Sequence, residues 1–234
     1  MSFKAKYMQE LTKYIEKLKK MYKPKGLIIA VAGPATSGKT TGAKALAEAL
    51  GLKYYSAGAI FREKAEKLGV SVEKLSKTRG DKLDLEADKE TLRRMMEGDV
   101  AVEGRLTGVL ATFIKDLERS GEVAIVRILY NPPLKVRAER HSQRENVPYD
   151  VSLNMISERD KADKEKYSKI YGIEDFTDPK YYDIILDNSE WSPEDAKIEP
   201  LKILISYLKK TNQLHFVKVE PLLEYFKKMG LFVF

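Results

Sequence analysis

Residues 27–50, LIIAVAGPATSGKTTGAKALAEAL, constrain this chain more than any other stretch. An uncharged apolar run leads straight into a turn of glycines, hydroxyls and one lysine, and then into a segment of strong helix formers. A run apolar at every position is what a strand buried on both faces requires, and such strands occur in parallel sheets covered by helices. The turn reads G-x-x-x-x-G-K-[ST] from Gly33 to Thr40, in the strand-to-helix setting that gives this motif its meaning. Gly33 and Gly38 let the backbone approach a ligand where a Cβ would block it. The turn Gly33, Pro34, Ala35, Thr36, Ser37, Gly38, Lys39, Thr40 and Thr41 can then wrap a phosphate with backbone N–H groups at the positive end of the following helix. Lys39 would reach the β- and γ-phosphates of a nucleoside triphosphate, and the Thr40 hydroxyl would ligate a magnesium ion.

Further strand signals lie at Lys53–Ser56, Val100–Glu103, Val123–Leu129 and Ile184–Leu186, with helical periodicity between them. Alternation of this kind predicts an α/β fold of the P-loop NTPase class, a five-stranded, mostly parallel sheet between helices. Before it, residues 4–22 place Tyr7, Leu11, Tyr14, Ile15, Leu18 and Tyr22 on one helical face, and KPKG ends the helix. After it, Leu222, Tyr225, Phe226 and Met229 share a face ahead of the apolar end LFVF. The division expected is an N-terminal helical extension over 1–26, a phosphate-loop domain over 27–210, and a C-terminal extension over 211–234. Both extensions are expected to pack against apolar surface rather than stand in water.

The 234 residues contain no cysteine and only His141 and His215, which excludes thiolate chemistry and leaves almost nothing for a histidine-based metal site or triad. Trp191 and both histidines are expected to be structural. No run approaches the ~20 apolar residues of a membrane helix, and the N-terminus lacks the apolar centre of a secretory signal, so a cytoplasmic protein without a membrane partner is expected. The formal net charge of +7 favours anionic partners, either nucleic acid or phosphorylated small molecules.

A phosphate loop is shared by switches, motors and kinases, so the acceptor has to be read elsewhere. YYSAGAIFREKAEKLG follows the second strand, with Gly58 in the loop and Arg62 one turn into the next helix, where its guanidinium can grip a second phosphate. VAVEGRLTG ends the third strand in Glu103, followed by Gly104 and Arg105: one acid near the magnesium and one cation near the acceptor phosphate. Further on, Arg137, Arg140 and Arg144 recur at helical spacing, and beyond NVPYD a second helix carries Arg159, Asp163, Lys166 and Tyr167. This helix–turn–helix reads as a helical lid, over about 137–172, whose cations close on phosphates and exclude water.

GPATSGKTT, SAGAIFR, VAVEGRLTG, VRAERHSQRE, ERDKADKEKYSKIYGI and YYDIILDNSEWSPED occur in the order seen in archaeal cytidylate kinases, which this chain resembles over about residues 27–209. The resemblance implies ATP with magnesium as donor and CMP or dCMP as acceptor. It implies that Arg62 and Arg105 meet the acceptor phosphate, with Gly58 and Gly104 beside them and Arg159 also on the acceptor; the acceptor-binding region is expected over about 57–98. It implies lid cations at Arg140, Arg144 and Arg159, an acid at Asp163 that touches the acceptor nucleoside, and magnesium at Thr40 and Glu103. The LDNSEW loop would lie near the adenine. The chain departs from the family pattern at Lys39, where many archaeal members have threonine, at Ala59, often an acid, around Arg127, and in its two extensions.

Two other readings stand beside this one. One is a related kinase for AMP or another small acceptor; the other is a nucleic-acid-associated P-loop ATPase. The positive charge collects at phosphate-binding positions and no aromatic base-stacking motif accompanies it, which favours small-molecule nucleotides over nucleic acid. A monomer or a homodimer is expected.

Overall fold

The computed structural model describes residues 3–70 and 81–231. Part of the expected acceptor region, 71–80, and most of the apolar end, 232–234, lie outside the described residues. The chain begins with α1 (Phe3–Met21), followed by β1 (Gly26–Ala32), α2 (Lys39–Ala49), β2 (Lys53–Ser56) and α3 (Ala57–Lys67). Next come α4 (Asp81–Met95), β3 (Val100–Glu103), α5 (Thr107–Thr112), β4 (Val123–Tyr130), α6 (Leu134–Glu145) and α7 (Tyr149–Tyr171). The fold ends with β5 (Ile184–Leu186), α8 (Asp195–Lys210) and α9 (Val219–Lys228).

The five strands form one sheet in the order β2-β3-β1-β4-β5. Every pair is parallel. Because the chain runs from β1 to β2 and β3 on one side and then crosses to β4 and β5 on the other, a crevice opens beyond the carboxyl ends of the central strands, the usual ligand site of such sheets. The register brings the strand ends together there: Val31 pairs with Glu103, and Ser56 pairs with Glu103 from the other side.

Alternation along β1 divides the core. Ile28 and Ala30 join a cluster with α1, α4, α5 and the end of α7, while Leu27, Ile29 and Val31 join α2, α8 and α9 on the other face. The first extension supplies Tyr7, Leu11, Ile15 and Leu18 to the former cluster, all buried. Burial of such side chains is worth roughly 2 kcal/mol each, so α1 is bound to the domain it precedes. In the second extension Tyr225 is buried and Leu222, Phe226 and Met229 pack against the opposite cluster.

Arg127 has a structural part in this framework. Its guanidinium makes two hydrogen bonds to Asp183, at 2.9 and 2.7 Å, and its backbone N–H donates to the same carboxylate. The pair ties β4 to the residue before β5. Burial opposes the charge on Asp183, but Arg127 and Lys115 outweigh it and hold its pKa below the usual carboxylate range.

Candidate active site

The turn between β1 and α2 has the conformation its glycines anticipate. Gly33 sits at φ 156°, and a Cβ there would come within 2.6 Å of both the Tyr130 carbonyl and Ser37 Oγ. Gly38, at φ 88°, caps α2 in the left-handed region, and its Cβ would stand 2.6 Å from Asn188 Nδ2. Thr36 takes a left-handed φ of 57° despite its branched side chain, and donates its hydroxyl to the Arg137 carbonyl at 2.9 Å. That is a strained position held by its surroundings.

Those surroundings come from the lid hairpin and the β5–α8 loop. Arg140 donates to the Asn188 carbonyl at 2.6 Å, and Asn188 donates from Nδ2 to the Ser37 carbonyl at 3.1 Å. Arg137 is buried, donates to the Ala35 carbonyl at 3.4 Å and pairs with Asp160 of α7 at 2.6 Å. The phosphate loop is therefore clamped from outside, leaving its inner side to a ligand.

Lys39 folds across that inner side and donates to the Pro34 carbonyl at 3.1 Å. Burial lowers its pKa to about 8; Glu103 opposes the shift, while Arg105 and Arg159 add to it. Arg62, Arg105 and Arg159 join Lys39 around one space, an arrangement suited to a polyanion.

The space is a cavity of about 190 Å³. Its wall includes Lys39 and Thr40 from α2, Gly58 and Arg62 from α3, Glu103, Gly104 and Arg105 after β3, and Arg159 from the lid. Eight of the residues expected from sequence thus meet on one surface. Arg62 donates to Ser56 Oγ at 3.1 Å, and Ser56 in turn bonds the Glu103 carboxylate, which also accepts from Tyr54 at 3.3 Å. Burial and the nearby Glu103 push Tyr54 up to about 12, so its hydroxyl is a firm donor.

The other expected residues are placed differently. Arg140 lies on the outer side of the loop rather than on the cavity wall. Arg144 is exposed and pairs with the adjacent Glu145 at 2.7 Å. It stands in the last turn of α6, just before Asn146 ends the helix in the left-handed conformation, and the structure does not bring it to the cavity. Asp163 is buried behind the wall, 2.5 Å from Arg105, and does not itself line the cavity. Burial opposes the Arg105 charge, but Asp163 and Tyr167 outweigh it and raise the pKa.

Tyr167, read from sequence on the second lid helix, also lies on the wall, whereas sequence reasoning passed over Asp84, Asp88, Thr91 and Tyr171, which lie there too. A signal existed for two of them: Asp84 and Asp88 are one helical turn apart, on a helix whose other buried positions include Leu85, Ala87 and Leu92. Asp84 pairs with Lys166 of the lid. Trp191 packs edge-on against Tyr130 at 6.2 Å, and His141 contacts Ser152 at 3.0 Å within the lid hairpin. Both are engaged in contacts within the fold.

Thr40 and Glu103 supply one hydroxyl and one carboxylate to the cavity, and among the described residues no group of three His, Cys, Asp or Glu could hold a metal unaided. That donor set fits an oxygen-loving ion that takes its remaining ligands from phosphates and water, as magnesium does in kinases.

A parallel five-stranded sheet, a phosphate loop at its central strand and a helical hairpin clamped to that loop define a P-loop kinase. The chain is 41% identical over 184 residues to the cytidylate kinase of Methanopyrus kandleri, covering 78% of this chain and 94% of that one. It is 37% identical over 170 residues to the cytidylate kinase of Pyrococcus horikoshii, covering 72% and 83%. The model of the cytidylate kinase-like family matches residues 28–190, and this chain belongs to that family. The crystal structure of an uncharacterized protein from Eubacterium ventriosum shares the fold, with a TM-score of 0.54 and 20% identity over 78% of this chain and 98% of that one.

Proposed function

We propose that this protein is a cytidylate kinase that transfers the γ-phosphoryl group of ATP to CMP or dCMP, giving CDP or dCDP. The observation that carries the reading is the single cavity joining Lys39 and Thr40 of the phosphate loop to Arg62, Arg105 and Arg159. One set of groups suits the donor phosphates and the other the acceptor phosphate, within one cavity. The acceptor phosphate is itself the nucleophile, so no general base is needed and catalysis reduces to positioning and charge neutralisation.

The loop N–H groups and Lys39 hold the donor; Lys39, near a neutral pKa, gains full charge as the phosphates replace the water that burial removed. Arg62 and Arg105 hold the acceptor phosphate, and Arg159 brings lid charge to the transferring group. Magnesium, bound through Thr40 and Glu103, would neutralise charge on the donor phosphates. Arg140 and Arg137 act on the outer face of the loop and keep it in its binding conformation. Arg144 would join them only through a movement of the lid.

The kinase unit is placed over 27–210, with 1–26 and 211–234 as extensions packed upon it. No helix among the described residues is long and apolar enough to cross a membrane. We place the protein in the cytoplasm, as a monomer or homodimer working on small nucleotides and not on nucleic acid. Kinases for AMP and nucleic-acid-associated ATPases are not favoured by the family. The test is ADP formation with ATP and magnesium across a panel of nucleoside monophosphates. CMP and dCMP should be the best acceptors, UMP poorer, AMP and GMP very poor; a preference for AMP would overturn the reading.

A further inference from the structure

The family model begins at residue 28, so α1 lies outside it, yet α1 reaches the wall of the acceptor cavity. Tyr7 is buried, and its hydroxyl donates to Asp88 Oδ2 at 2.7 Å. The Tyr7 hydroxyl oxygen lies 3.0 Å from the Tyr171 hydroxyl, and the two tyrosine rings meet edge-on with centroids 5.3 Å apart. With its own proton committed to Asp88, Tyr7 accepts from Tyr171. Asp88 belongs to α4 and Tyr171 to the last turn of the lid helix α7, and both line the cavity while Tyr7 does not. A second link runs alongside, from Glu10 of α1 to Lys89 of α4.

The chemistry of this relay is selective. A lysine in place of Tyr7 would add a positive charge beside Asp88; a phenol donates one hydrogen bond to the carboxylate and fixes its direction without adding charge. Tyr7 thereby orients a hydrogen-bond-accepting carboxylate on a wall whose other charged groups include Lys39, Arg62, Arg105 and Arg159. A nucleoside offers donors to such an acceptor, in an exocyclic amine or in ribose hydroxyls.

We infer that α1 is part of the acceptor-binding machinery, with Tyr7 a positioning residue that holds Asp88 to accept a hydrogen bond from the acceptor nucleoside. This rests on the reading of the cavity as a nucleoside monophosphate site. The wild-type acceptor panel is therefore run first, and the variants are scored with whichever monophosphate the wild type phosphorylates best. Failure of the cytidylate reading then shows in the wild type and failure of this inference in the variants.

Tyr7→Phe keeps the ring and its edge-on packing and removes only the hydroxyl. The expected result is a rise of about tenfold in the acceptor KM, the effect of one buried hydrogen bond to a charged group. KM for ATP and kcat should stay within twofold of wild type. Asp88→Asn should raise the same KM, and the double variant should be no worse than Asp88→Asn alone, because Tyr7 acts through Asp88. An unchanged acceptor KM in Tyr7→Phe would overturn the inference. So would a parallel rise in both KM values with a lowered Tm, which is the signature of a helix that only packs. Additive effects in the double variant would overturn it as well.

Discussion

Arg105 and Asp163 form a buried ion pair at 2.5 Å, joining the loop after β3 to the middle of the lid helix α7. Arg105 lines the cavity and Asp163 stands behind it, so the carboxylate aims the guanidinium rather than reading a ligand. Asp163→Asn should therefore raise KM by the same factor for every monophosphate and leave their ranking intact. Removing one partner of a buried pair costs about 3–5 kcal/mol, so Tm should fall. Saturating acceptor should restore more of that loss in the variant than in wild type, since a phosphate replaces the missing charge. A changed ranking among acceptors in steady-state kinetics would return Asp163 to the role of nucleoside reader.

Lys39 makes the reaction sensitive to alkali. In the free enzyme burial holds its pKa at about 8, so the charged form is lost as pH rises through that value. kcat/KM for ATP, which reports the free enzyme, should decline with a midpoint near pH 8. kcat should hold to higher pH, because bound phosphates favour the ammonium. The stability contribution has the opposite trend: the unfolded lysine keeps its proton to higher pH, so stability rises across that window. A kcat/KM profile flat to pH 9.5 would contradict the burial of an uncompensated lysine.

Removing the Lys39 ammonium or the Thr40 hydroxyl should leave the fold intact while removing transfer. Lys39→Ala and Thr40→Ala are each expected to lower kcat by at least about a hundredfold, the usual scale for loss of one group acting on transition-state charge. Circular dichroism establishes folding and a coupled ADP assay reads the rate. A folded Lys39→Ala protein with wild-type turnover would remove the phosphate loop from the chemistry.

Gly33→Ala should abolish nucleotide binding at modest cost to the rest of the fold. The added methyl meets a backbone carbonyl, that of Tyr130, at 2.6 Å, which cannot rotate away as a side chain could. Equilibrium binding of a fluorescent ATP analogue checks this, and unchanged affinity would show that the turn has room to spare.

Truncation before residue 211 removes Tyr225, Leu222, Phe226 and Met229 from the α2 and α8 face of the sheet. The shortened chain should lose solubility and melt at lower temperature while its cavity residues remain in place. If it stays soluble with unchanged Tm and loses activity, the tail has a part in the site.

The local elements were legible in the sequence because their causes are local. Unbroken apolarity over 27–32 can only be satisfied by a strand buried on both faces, and Gly33 and Gly38 mark the two places where the following turn cannot carry a Cβ. The stripe Tyr7, Leu11, Ile15 and Leu18 foretold a helix that packs, and Arg62 and Arg105 sit just past strand ends, where an α/β sheet gathers its ligand groups. Partnership was decided by the tertiary structure alone. Arg137, Arg140 and Arg144 share one spacing, yet the first two clamp the phosphate loop and the third pairs with its neighbour in solvent, because only the first two turns of α6 lie against the loop. Asp163 and Asp88 are both buried acids on amphipathic helices, yet one backs an arginine and the other faces the cavity with Tyr7 behind it. Helical periodicity says which side of a helix is buried; what it is buried against depends on chain brought in from 58 and 81 positions away, and no local pattern encodes that.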